Sequence, residues 1–325
     1  MAIYGYLALF FLFYLSTAIR IKVDCSGKGD YRKIQDAIDA VPSNNSENVF
    51  VLINPGVYEE KVVVPVDKPF ITLSGSKHAG GVIITWHESG EIFESPTFTV
   101  LASDFMACHL TIQNTYGSGA KAVALRVSAD RAAFFGCRIL SHQDTLLDDK
   151  GRHYYYNCYI QGDTDFICGN AASLFEKCHL HSLSEGNGAI TAQHRQSPNE
   201  KTGFTFVNCK ISGLKSALLG RPWGAYSRVV FALTYMSNVV LPQGWDDWGN
   251  TSKQRTSYYR EYKCYGPGSS TSKRVNWSHS LTSEEVKSYL TESINGGKSW
   301  VRAAPPHFRR AFVGNLSSRV GERQP

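Results

Sequence analysis

The chain has 325 residues, of which 42% are hydrophobic, 12% aromatic and 19% charged, and its formal net charge is +6. That balance excludes an intrinsically disordered chain and supplies apolar side chains for a sizeable core. The positive excess is spread along the sequence without an RNA- or DNA-binding motif, so nucleic acid is not an expected partner, whereas acidic polymers would be attracted.

Residues 1–18 carry no charged side chain, hold a short apolar run at 7–15, and end in the small residues Ser16, Thr17 and Ala18. This reads as a signal peptide cleaved after Ala18, leaving a mature unit of 19–325 and a secreted protein. An uncleaved anchor is the alternative, although the run is short for a bilayer span. No later stretch is apolar enough to cross, so no membrane contact is expected after cleavage. Sequons at Asn44, Asn250, Asn276 and Asn315 fit a glycoprotein on that route. Next in the chain, Asp30 reads as the N-cap of a helix whose face is Ile34, Ala37, Ile38 and Val41, ended by Pro42. Such a helix would close one mouth of the fold.

The middle of the chain repeats the unit aromatic-x-x-Cys-x-(Ile or Leu). It occurs as Phe105…Cys108…Leu110, Phe134…Cys137…Ile139, Tyr155…Cys158…Ile160, Phe175…Cys178…Leu180 and Phe206…Cys209…Ile211. Phe231…Thr234…Met236 is a degenerate sixth copy. The cysteines fall 29, 21, 20 and 31 residues apart. A period of this size with one short alternating strand per copy predicts a solenoid in which like residues stack in columns. Further strands are expected at 122–127 and 203–207, with Gly, Asn, Asp and Ser at the corners. The architecture is therefore an all-β parallel β-helix. Five of the eight cysteines occupy one repeat position, where Cys acts as a small buried hydrophobe; a disulfide between neighbouring rungs is the alternative. Cys25, Cys168 and Cys264 fall outside this ladder, and metal-ligand spacing such as C-x-x-C is absent, so no metal is expected. Towards the end, Thr282-Ser283-Glu284-Glu285 reads as a capping box before Val286, Tyr289 and Leu290, a second short helical cap. The basic tail from Val301 has no assigned place.

Asp144 and Asp165 stand 21 residues apart, each seven residues after a repeat cysteine, Cys137 and Cys158. Equal offsets on adjacent rungs put the two carboxylates on neighbouring strands about 4.8 Å apart. So close, they cannot both ionise freely, which yields one acid and one base or nucleophile. Taken singly, either aspartate reads as a corner residue making turn hydrogen bonds; it is the pair in register that points to chemistry. Arg221 could hold a carboxylate bidentately. Trp223 and Trp245 could stack on sugar faces or pack under a loop. His142 and His153, flanking Asp144, read as structural.

Together these segments resemble the plant pectinesterases. Gly56 to Glu60 looks like that family's G-x-Y-x-E, Lys121 to Leu125 its Q-A-V-A-L, Gln143 to Leu146 its Q-D-T-L, Asp165 to Gly169 its D-F-I-F-G, and Leu219 to Trp223 its L-G-R-P-W. The likeness covers nearly the whole mature chain, without the inhibitor-like pro-region of some members. It implies a right-handed parallel β-helix and a cell-wall enzyme acting on methylesterified homogalacturonan without a metal or organic cofactor. It also implies Asp165 as nucleophile, Asp144 as general acid then base, Arg221 as the group orienting Asp165, and Gln143 as oxyanion donor. Lys121, Phe166, Trp223 and Trp245 would contact substrate, and proteinaceous pectinesterase inhibitors are candidate partners.

Three departures stand out. Lys121 replaces the Gln that serves as a second oxyanion donor, Leu147 stands where many members carry Tyr, and Cys168 replaces the second Phe of D-F-I-F-G. Lys121 could stabilise the oxyanion but would also favour ionised Asp144. It leaves a weak or inactive pectin-binding member as the alternative function. Cys168 reads as a packing change or a reactive thiol. A depolymerase on a similar coil is disfavoured, because Asp148-Asp149 lacks the N-T-D and G-H-G companions of a polygalacturonase and Q-D-T-L has no place in a lyase.

Overall fold

The computed structural model describes residues 18–75, 79–290 and 299–301. The expected leader up to Thr17, the sequon at Asn315 and the tail beyond Val301 lie outside the described residues. One turn of the chain, Ala132–Phe135, Arg138–Leu140 and Leu146–Asp148, gives one strand to each of three sheets. Among the described residues these sheets have eleven, eight and seven strands, and their ladders are parallel. Strand, crossover and parallel strand in one sheet follow the right-handed rule, and the architecture is the expected right-handed parallel β-helix. No helix among the described residues is long and apolar enough to cross a membrane.

The core is built of columns, because each residue stacks on its register partner one rung away. Phe134, Tyr155, Phe175, Phe206 and Phe231 form one such column inside the coil. Successive ring centroids lie 5.0, 4.6, 4.5 and 4.5 Å apart in stacked pairs. Next in register after Phe231 is Glu261, whose buried carboxylate is paired with Arg274 at 2.8 Å.

The cysteine column differs from the sequence expectation at both ends. Phe134 pairs with Ala107 and Phe135 with Cys108, so Leu110, not Cys108, stands opposite Cys137. Cys108 instead packs outside the eleven-stranded sheet with Met106, Phe135 and Tyr154. At the other end Cys264 joins the column, since Ala232 pairs with Tyr262 and Thr234 therefore faces Cys264. The first motif copy is shifted by two residues, so Cys108 precedes the left-handed corner at His109, whereas Cys137 follows the corner at Gly136, and the two cysteines face opposite sides of the sheet. All eight cysteines are free. The column thiols donate to carbonyls of the preceding rung, as Cys178 does to Tyr155 O at 3.4 Å and Cys209 to Phe175 O at 3.4 Å.

Helix α1 (Ile34–Asp39) buries Ile34, Ala37 and Ile38 in the main core and covers its first rungs. Its cap is not Asp30, whose carboxylate accepts from Lys22 N instead. Glu60 accepts from Ile34 N at 2.8 Å and Gln35 N at 3.0 Å, taking up two of the orphan amides of the first turn. The expected capping box forms: Glu285 accepts from Thr282 N at 2.8 Å, and Thr282 Oγ1 accepts from Glu285 N at 3.2 Å. The helix behind it, α2 (Lys287–Leu290), does not plug the coil. Val286 and Tyr289 pack on the outer face of the eleven-stranded sheet.

Because Phe175 is sandwiched between Tyr155 and Phe206, Phe175→Ala opens a cavity that neither stiff neighbour can fill. We expect a loss of about 3–5 kcal/mol in unfolding free energy, read from the urea midpoint.

Candidate active site

The seven-stranded sheet carries the site on its outer face. Lys121, Gln143 and Thr164 are bridged in register across three rungs, which sets Asp144 beside Asp165. Asp144 N donates to Thr164 O at 3.1 Å, closing the backbone between the two rungs. Both aspartates have left-handed backbones, with φ of 60° and 49°. Aspartate tolerates that conformation better than most residues. Beyond this corner the strands resume, with Leu146 and Ile167 pointing into the core and Leu147 and Cys168 pointing outward.

The two carboxyls line a cleft of about 480 Å³ together with Lys121, Gln143, Cys168, Arg221 and Trp223. Arg221 donates to Asp165 through Nε at 2.8 Å and its terminal nitrogen at 2.5 Å, a two-pronged pair. The guanidinium lies 3.9 Å from the centre of the Trp248 ring. Trp223 stacks on His194 at 4.0 Å, and Lys253 Nζ donates to the carbonyls of Pro222 and Trp223.

Burial and charge separate the two acids. Asp144 is 7% exposed and Asp165 4%. Burial, then the charge of Asp165, push the Asp144 carboxyl up to about 7, against the pull of Lys121 and Arg221. Burial raises the Asp165 carboxyl too, but the hydrogen bonds and charge of Arg221 work against it. Asp144 lacks an arginine clamp of its own, so the shared proton resides on Asp144 and the negative charge on Asp165.

Two expected contact residues lie elsewhere. Phe166 is fully buried in the core. Trp245 is bridged to Gly220, in the inward column of Ile167 and Thr191, and its ring stacks on Tyr259 at 4.2 Å. Both are part of the floor beneath the cleft, not its lining. The lining tryptophan missed in the sequence is Trp248, with Ile92, Ala192, Asn250 and Lys253. Its signal was turn chemistry: Asp246 and Asp247 accept from the amides of Trp248 and Gly249, presenting the ring at a loop tip. Leu147 packs with Val123, Cys168 and Ala192 in a small outer cluster. Burial and the surrounding carboxylates hold the Cys168 thiol far above its ordinary range, which removes the reactive-thiol reading. His153 lies buried between Asp148 at 2.6 Å and Ala129 O at 2.7 Å, and His142 pairs with Asp163 at 3.3 Å, both as structural contacts.

The raised Asp144 makes a stability prediction. A carboxyl with a higher pKa folded than unfolded binds more protons in the folded state, so stability falls as pH rises and the loss is complete above about 7. Asp144→Asn removes that burden. We expect it to stabilise by about 1–3 kcal/mol at pH 8 and by much less near pH 4, measured as urea midpoints at both.

Known proteins resemble the chain over most of its length. The Pectinesterase family model matches residues 20–297. Putative pectinesterase 11 of Arabidopsis thaliana is 58% identical over 298 residues, covering 91% of this chain and 84% of its own. Among solved structures, the pectin methylesterase from carrot superposes with a TM-score of 0.84 at 34% identity, covering 88% of this chain and 95% of its own. A pectin methylesterase in complex with a hexasaccharide superposes at 0.75 with 26% identity, covering 89% and 100%. The chain belongs to the pectinesterase family and is a carboxylic ester hydrolase.

Proposed function

We propose that the protein hydrolyses methyl esters of homogalacturonan to pectate and methanol through an acyl intermediate on Asp165. The observation that carries this reading is the pair of buried carboxylates one rung apart, one clamped by Arg221 and the other not. The ionised Asp165 oxygen attacks the ester carbonyl carbon. The tetrahedral oxyanion so formed meets the Gln143 amide and the Lys121 ammonium, which border the same cleft. Collapse breaks the bond to methoxide as Asp144 gives up its proton, and methanol leaves. Asp144, now a base, takes a proton from water, whose oxygen attacks the same carbonyl and frees Asp165. Arg221, stacked on Trp248, keeps the nucleophile charged and aimed. Trp223 and Trp248 line the cleft and offer ring faces for sugar units; that a related pectin methylesterase forms a complex with a hexasaccharide supports an oligosaccharide ligand. The leader-like first 18 residues and the acidic polymer substrate support action outside the cell, in the wall, where proteinaceous inhibitors of the family are candidate partners.

Methanol release tests the scheme. Asp165→Ala is expected to lose at least about 10³-fold in rate while keeping the fold; retention within tenfold overturns Asp165 as nucleophile. Lys121 depresses Asp144. With Lys121→Gln the acid should therefore hold its proton to higher pH, moving the descending limb of kcat/KM upward from near 7. One further reading rests on Lys121 itself: if the native chain binds pectin without releasing methanol and Lys121→Gln releases it, the protein is a binding member of the family.

A further inference from the structure

The outer face of the eight-stranded sheet carries a second ordered array, on a different side of the coil from the cleft. Its outward positions stack in register as Arg138, Tyr159, His179, Lys210, Tyr235 and Tyr265, one per rung. At rung spacing this ladder is about 24 Å long. The residues are held in place. The Arg138 guanidinium lies 5.0 Å from the Tyr159 ring centre, and His179 meets the same ring edge-on at 5.1 Å. His179 and His181 both bond Ser212 Oγ, at 2.7 and 2.8 Å. Tyr265, 58% exposed, closes the row with its ring 5.5 Å from Tyr235.

The charge of this strip has one sign. The strands Arg138–Leu140, Tyr159–Gly162, His179–Ser182, Lys210–Gly213 and Tyr235–Met236 contain no carboxylate. Lys177 and Lys263, exposed at the corners that lead into it, turn to Tyr156 and Tyr262 on the eleven-stranded sheet, so the cations of the strip itself are Arg138 and Lys210. Burial lowers His179 to about 4, so the fixed charges are arginine and lysine. Two cations three rungs apart, Arg138 and Lys210, set among aromatic rings that are held by contacts of their own, suit a polymer of sugar rings that carries a carboxylate on each unit. A neutral glucan would leave the cations unanswered, and a methylated stretch would do so in proportion to its methylation.

We propose that this ladder is a second binding strip for de-esterified homogalacturonan, the polyanionic product chain. The identity of the polymer rests on the function proposed above. Holding the de-esterified part of a chain on one side of the coil keeps its esterified part at high local concentration around the cleft.

The test uses the full chain and polygalacturonate as probe. Arg138→Gln with Lys210→Gln should weaken retention on immobilised polygalacturonate roughly five- to tenfold and reduce its salt dependence. Methanol release from a short methylated oligogalacturonide should be unchanged, which also reports that the variant folds. Lys28→Gln with Lys33→Gln removes the same charge from the exposed N-terminal region and should change retention little. Unaltered retention in the Arg138/Lys210 variant overturns the strip, as does an equal loss in the Lys28/Lys33 control. If the native protein releases no methanol yet retention depends on Arg138 and Lys210, the esterase reading falls and the strip stands.

Discussion

Parallel backbone pairing between rungs is the constraint on which everything else depends. Once Phe134 is set over Ala107 and under Tyr155, the columns, the corners and the cleft follow from the same register. The cost appears at the corner between the eleven- and eight-stranded sheets. There His109, Gly136, Asn157, Lys177, Asn208, Leu233 and Lys263 all adopt positive φ, between 43° and 58°. For Leu233 and the lysines this backbone costs about 1–2 kcal/mol each. Each of the first six corner amides donates to a carbonyl of the next rung, as Lys177 does to Val207 at 3.0 Å. The corner is thus fixed by stacking, and the local preference of its residue is overridden.

The same device makes the site. Asp144 and Asp165 occupy a left-handed corner on successive rungs, so their carboxyls stand side by side for the same reason that Phe134 and Tyr155 do. In a turn open to water such a pair would ionise with little mutual effect. Here the outer cluster of Val123, Leu147, Cys168 and Ala192 and the buried floor of Phe166 and Trp245 remove that water. Proximity then becomes a difference in protonation, and Arg221 decides which partner carries the charge.

What the sequence revealed divides along the same line. Features set by periodicity were legible: the coil, the rung length, the pairing of the two aspartates and the capping box at Thr282. Features set by which phase of the alternation faces inward were not. The first cysteine lies before its corner where the others lie after theirs, which turns Cys108 outward, and Trp245 was assigned to the cleft although its bridge to Gly220 turns it inward. Glu60 as the cap of α1 lies 26 residues from the helix start, a distance no local pattern spans. Trp248 was readable in principle, since two aspartates before a tryptophan and glycine spell a turn that leaves the ring outside.

The distribution of charge gives the remaining argument. On the proposed reaction, each turnover replaces a neutral ester with a carboxylate at the spot where Asp165 is already charged and Asp144 has a pKa near 7. The cleft therefore disfavours its own product, with Arg221 largely occupied by Asp165 and Lys253 donating to two carbonyls. Of the cleft cations, Lys121 alone is exposed, and on the proposed reaction it would face the developing oxyanion and the product alike. Whatever it adds to the transition state it adds in part to the bound product, so its net effect on turnover is the difference between the two, which is smaller than either.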